Sequence, residues 1–174
     1  MGSHGSKPEA ATSDPDVGAA LDALRRVVRA LRLSATAVER AHGVSGAQLF
    51  VLGELASGGS FSIAELAART ATDPSSVSAV VARLVDRGLV VRRASPEDAR
   101  RAEIAITPAG TALLREAPEP IQVRLIAALA DLPEEERAVL ARGLGRVAAA
   151  IGASDGPAPM FFEGDPAPSR SRKA

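Results

Sequence analysis

From Asp16 onward Val17, Leu21, Leu24, Val28, Leu31, Ala35 and Val38 recur at three- and four-residue steps, the repeat of one face of an α-helix. The spacing predicts a long amphipathic helix ending near Gly43. A second helix is expected over Ser45 to Ala56, with Leu49, Val51, Leu52 and Leu55 apolar, and it stops at Ser57-Gly58-Gly59-Ser60. Ser62-Ile63-Ala64-Glu65 has the form of a capping box, in which the Ser62 hydroxyl and the Glu65 carboxylate each satisfy free amides at a helix start. Ile63, Leu66 and Ala67 give that short helix its apolar face. A turn at Thr70 to Thr72 follows, then Asp73 as N-cap and Pro74 as first residue of a helix whose apolar set is Val77, Val80, Val81 and Leu84. Gly88 ends it.

Two short strands come next, Leu89 to Arg93 and Ala102 to Ile106, joined by the turn-rich segment from Ala94 to Arg101. Thr107-Pro108 opens another helix in the manner of Asp73-Pro74, with Leu113 and Leu114 starting its apolar face, and Pro118 and Pro120 break or kink it. The helical pattern resumes at Ile121 to Ala130. Pro133 followed by Glu134, Glu135 and Glu136 sets negative charge at the positive end of a last helix that runs to about Ile151.

Residues 1–15 are polar, contain Gly, Ser and Pro, and carry a Gly2-Ser3-His4 stretch of the kind left by expression vectors, so they are expected to be disordered. Residues 152–174, with Pro157, Pro159, Pro166 and Pro168, are also expected to form a disordered tail. Its one apolar spot, Met160-Phe161-Phe162, has two readings: it packs back on the body, or it meets a partner. The resulting layout is a long helix at 16–44, a compact unit of helices and a hairpin at 45–114, and further helices at 115–151. The fold class is mainly α with a small β-hairpin wing.

Composition narrows the chemistry. Ala, Leu and Val dominate the 46% of hydrophobic residues, which favours helices. The absence of cysteine excludes disulfide scaffolds, thiolate zinc sites, cysteine nucleophiles and thiol-based peroxide sensing. No apolar run is long enough to span a membrane, and the start of the chain lacks a secretory pattern, so a cytoplasmic location is expected. The only histidines are His4 and His42, and no metal-protease, nucleophile-elbow or dinucleotide motif is present, which points away from catalysis, metals and cofactors. His42, just before Gly43, fits a role in capping helix carbonyls.

With 21 basic and 21 acidic residues the chain has no global basic field, and any case for nucleic acid must be local. The local case is the order helix, short helix, turn, helix, charged hairpin. A helix fits the major groove of duplex DNA and a thin loop can enter the minor groove. On this reading Asp73 to Arg87 is the recognition helix, presenting Ser75, Ser76, Ser78 and Ala79 outward with Arg83 further along. Arg92, Arg93, Arg100 and Arg101 face only Glu97 and Asp98 in the hairpin, making a locally positive wing. Taken alone, these arginines equally fit a solvated hairpin tip. Arg25, Arg26, Arg29 and Arg32 on the first helix form a solvated face most simply, with an interface or an anion site as the other readings.

The segments Gln48-Leu49-Phe50-Val51-Leu52, Ser62-Ile63-Ala64-Glu65-Leu66-Ala67, Asp73-Pro74-Ser75-Ser76-Val77-Ser78 and Leu84 to Arg93, closing with Asp98-Ala99-Arg100 and Ile106-Thr107-Pro108-Ala109-Gly110, together resemble the MarR family of winged helix-turn-helix regulators. The resemblance covers about residues 45–114. It implies a homodimer, with dimerisation helices at 16–44 and 115–151 flanking a DNA-binding unit at 45–114, that grips successive major grooves of a pseudo-palindromic operator in double-stranded DNA, with Arg100 as the minor-groove residue. It further implies that Asp98 holds the wing's shape, and that the protein represses nearby genes until a small-molecule effector binds. Pro74 and Ala79 depart from the longer polar or basic side chains of many relatives. The alternative is a winged-helix dimer that senses a ligand or protein partner without sequence-specific DNA binding, a reading favoured by the neutral charge and bland recognition helix.

Overall fold

A computed structural model describes residues 14–94, 101–153 and 160–161. Helix α1 spans Pro15–His42, α2 Gly46–Gly58, α3 Ile63–Arg69 and α4 Pro74–Asp86; strand β1 is Ser60–Phe61, β2 Val90–Ala94 and β3 Ala102–Ile106; α5 spans Pro108–Glu116, α6 Ile121–Ala130 and α7 Glu134–Ala150. The fold is mainly helical, with a small antiparallel sheet in the order β1-β3-β2. Helix and strand positions follow the hydrophobic pattern closely. The addition is β1, whose Ser60 and Phe61 pair with Ala105 and Ile104 and turn the hairpin into a three-stranded sheet.

Helix α2 is the centre. Gly46 to Leu52 together with Leu55 are buried, as in a helix enclosed by others, while Glu54 and the last turn reach the surface. A capping box starts it: the Ser45 amide donates to Gln48 Oε1 at 2.8 Å and the Gln48 amide to Ser45 Oγ at 3.2 Å. Around α2 gather Val38 and Val44, Leu66, the α4 set Val77, Val80, Val81 and Leu84, then Leu89, Val90 and Ile104. Each such side chain, fully buried, contributes roughly 1.5–3 kcal/mol. The helix-turn-helix and the base of the wing therefore hold together as one cooperative body around α2.

The flanking helices differ. Only Leu31 and Val38 of the 28-residue α1 are buried, only Gln122 of α6, and nothing in α7. Val17, Leu21, Leu24 and Val28 on α1, and Leu140, Leu144, Val147 and Ile151 on and just beyond α7, form two stripes at four-, three- and four-residue steps that are all exposed. Among the described residues no helix is long and apolar enough to cross a membrane.

Gly110 shows how tightly the wing is seated. A Cβ there would lie 2.2 Å from the Leu89 carbonyl oxygen and 2.8 Å from the Ile106 side chain, so only glycine lets α5 approach the strand ends this closely.

Candidate nucleic-acid interface

The helix-turn-helix begins with the capping box anticipated at Ser62 and Glu65. The Ser62 amide donates to Glu65 Oε2 at 2.7 Å and the Glu65 amide to Ser62 Oγ at 3.3 Å. These hydrogen bonds from Ser62, side chain first and then backbone, hold the Glu65 carboxyl below its ordinary value, and the charge of Arg101 adds to the effect while desolvation opposes it. Arg101, just before β3 on the tip side of the wing, thus lies within electrostatic reach of the start of α3. The last turn of α3 is pinned by Arg69, which pairs with Glu54 at 2.8 Å and stacks over the Phe61 ring at 4.6 Å from its centroid. The turn to α4 passes through Ala71 in a left-handed conformation, φ 51°.

Asp73 caps α4, accepting from the Ser75 and Ser76 amides at 2.9 and 3.0 Å and from the Ser75 hydroxyl. Those donors, the Ser75 side chain foremost, hold the Asp73 carboxyl far below the usual carboxylate range. All three donors reach the same oxygen, Asp73 Oδ1, and tie down the first turn of α4.

The solvent side of α4 carries Ser75, Ala82 and Asp86, with Ser78, Ala79 and Arg83 half-buried beside them. Ser76 is different: it is only 8% exposed and lies with the apolar side of the helix, not outward as expected. Its place follows from the period, since Ser76, Val80 and Leu84 are four residues apart and share a face. The same counting finds Ala82, which stands with Ser75 and Ala79 on the outer face.

In the wing, Val90 pairs with Ile106, Arg92 with Ile104 and Arg93 with Glu103, and both arginines are exposed. Arg93 thus sits directly opposite an acidic residue, a favourable cross-strand pair, while Glu103 also accepts from the Ser60 hydroxyl at 2.6 Å. Thr107 locks the wing's base. Its hydroxyl lies 2.8 Å from the Gly88 carbonyl and 3.1 Å from that of Leu89, and accepts from the Gly110 amide at 3.1 Å. The tip, with Asp98 and Arg100, lies outside the described residues.

The structure therefore brings Ser75, Ser78, Ala79 and Arg83 onto one helix and Arg92, Arg93 and Arg101 onto the adjoining hairpin. Hydrogen-bond donors and positive charge predominate here, with Asp86 on α4 and Glu103 opposite Arg93 as the acidic members. Among the described residues no group of three or more His, Asp or Glu side chains is arranged to hold a metal.

The MarR-family profile matches residues 42–101, the stretch just described. The chain is 33% identical over 94 residues to the HTH-type transcriptional repressor MdtR of Bacillus subtilis, an alignment covering 54% of this chain and 61% of that one. It is 35% identical over 97 residues to an uncharacterised HTH-type transcriptional regulator of Mycobacterium bovis, covering 56% and 68%. The chain belongs to the MarR family.

Members of that family are transcriptional regulators, not enzymes. The alignment to the Bacillus repressor spans a little over three fifths of that protein's length. Escherichia coli MarR, as a cysteine-to-serine variant solved on operator DNA, shares the fold with a TM-score of 0.53 at 22% identity, covering 78% of this chain and 99% of that one. As a MarR-type winged helix, the chain departs from expectation at Ser76 and at the added strand β1. Its helix-turn-helix and hairpin fall where the sequence places them.

Proposed function

We propose that this chain is a homodimeric DNA-binding transcription regulator that represses neighbouring genes, with α4 in the major groove and the β2–β3 hairpin against the minor groove. The observation that carries the reading is local charge: on a chain with no net charge, exposed Arg92 and Arg93 and neighbouring Arg101 lie on the hairpin that follows α4 and packs against it through β2. The narrow minor groove concentrates negative potential and attracts arginine, and Arg100 at the wing tip is the side chain proposed to enter it, with Asp98 organising the hairpin. Ser75, Ser78, Ala79 and Arg83 are the proposed contacts of α4. Ser76, being buried, supports the helix and offers at most its backbone.

Dimerisation is supported by where the apolar surface lies. Among the described residues every large exposed hydrophobic is on α1, α6 or α7 or in the chain beyond α7, and none is on the winged core. Helices in proteins draw most of their stability from packing an apolar face, and a contiguous exposed face marks an interaction surface. A second copy of α1 and α7 supplies the cover. Repression, as the name of the Bacillus relative states for that protein, and release by a small-molecule effector complete the proposal.

The small side chains at Ser75, Ala79 and Ala82 favour one other reading, a ligand- or partner-sensing dimer without sequence-specific DNA binding. Hydroxyl-radical footprinting of the intergenic DNA upstream of the chain's own gene separates the two. The regulator reading expects two protected half-sites about 10 base pairs apart; uniform cleavage at saturating protein supports the other.

A further inference from the structure

Beyond α7 in sequence, Met160 lies in the core. Met160 is only 7% exposed and belongs to the apolar cluster of the winged core that surrounds α2. Beside it, Gln122 of α6, itself 5% exposed, directs its amide nitrogen at the Phe161 carbonyl oxygen, 3.5 Å away. The same nitrogen would stand 3.1 Å from a Cβ at Gly46. One spot thus joins the start of α2, the start of α6 and the returning chain. Helix α7, which lies between α6 and Met160 in sequence, has no buried residue of its own.

We propose that Met160 and Gln122 are positioning residues for DNA binding: they form a latch that fixes the start of α6, and with it the dimer surface that α6 leads into, relative to the winged core. The apolar thioether supplies most of the hold, because a hydrogen bond at 3.5 Å is at the long limit of effectiveness. Docking also has a built-in cost. Among the described residues Gln122 Oε1 is buried without a partner, whereas an undocked Gln122 would be hydrated, and an orphaned buried acceptor opposes the docked state. A contact that gains apolar burial and strands a carbonyl is balanced to open and close. Met also suits such a contact, since its unbranched side chain adapts to an irregular slot. When the latch is open, the two winged units of a dimer lose their fixed separation, and the preference for one half-site spacing falls.

The inference rests on the DNA-binding, dimeric reading, and the test keeps the two apart. Full-length wild-type protein, Met160→Glu, the milder Met160→Ala and the volume-conserving Met160→Leu are compared in two measurements. The first is amide hydrogen exchange over residues 46–48 and 121–123 without DNA. The second is affinity for the upstream duplex and for the same duplex with one base pair inserted between the half-sites. The latch predicts several-fold faster exchange in both segments for Met160→Glu and Met160→Ala. It also predicts a native-to-inserted affinity ratio that drops toward one, with Met160→Leu restoring both. Unchanged exchange overturns the latch; faster exchange with an unchanged ratio overturns its positioning role. Should wild type prefer no duplex, the regulator reading fails, while the exchange arm still decides whether the latch exists.

Discussion

The guanidinium of Arg87 donates a hydrogen bond from Nη1 to the main-chain carbonyl of Gly43. Arg87 is the C-cap of α4 and Gly43 the left-handed C-cap of α1, φ 67°. A single contact therefore joins the end of the proposed recognition helix to the end of the proposed dimerisation helix. It also supplies, from another element, a cation near the negative end of α1, next to His42, which the sequence suggests for carbonyl capping.

Arg87→Ala removes that tie. A hydrogen bond from a charged donor is worth about 1.5–3 kcal/mol in general, and the exposure of Arg87 puts the expected loss near the lower figure or below it. Urea denaturation should show a lower midpoint with an unchanged slope, because the surface exposed on unfolding stays the same. A midpoint equal to wild type would mean that solvent replaces the hydrogen bond without cost.

Asp73 makes stability depend on acid. Its carboxyl is held far below the usual range by the Ser75 and Ser76 donors, so between the folded value and the unfolded value of about 3.9 the unfolded chain binds more protons. Stability from this group is complete above the unfolded value and disappears as pH falls through the folded one. Thermal melts of wild type and Asp73→Ala should differ at neutral pH, with the variant melting lower. The gap should narrow steadily below about pH 4, and a gap independent of pH would contradict the cap.

Leu144 lies in the middle of the exposed stripe on α7, half exposed at 50%. Leu144→Asp places a charge where the proposed dimer needs an apolar contact, so light scattering should show a shift from dimer to monomer. The winged core, which Leu144 does not touch as part of its cluster, should keep its helical circular dichroism. A dimer that survives the substitution unaltered would remove α7 from the interface.

Local signals in the sequence are enough to locate most of the fold. Ser62 with Glu65, Asp73 with Pro74 and Thr107 with Pro108 each mark a helix start within a few residues, and each cap is present. The polarity of Ser76 suggests the outer face, yet its spacing from Val80 and Leu84 puts it inside, and spacing wins. Strand β1 has two residues, too few for any alternation to register. The Arg87–Gly43 tie spans 44 residues and the Gln122–Phe161 contact 39. Both depend on tertiary approach, which no local pattern encodes. For Met160 the sequence offers packing back on the body or contact with a partner, and burial in the core cluster selects the first.

Whether the positive wing and α4 read duplex DNA is decided by fluorescence anisotropy. Wild type and Arg100→Ala are titrated against the chain's own upstream intergenic duplex and a scrambled duplex at two salt concentrations. Wild type should bind tightly, prefer the upstream duplex and weaken as salt rises. Arg100→Ala should bind less tightly, with a salt slope reduced by about 0.9 for each phosphate that is no longer neutralised. Equal, weak binding of both duplexes by wild type, or an affinity and slope unmoved by the substitution, would refute DNA reading by the wing and α4.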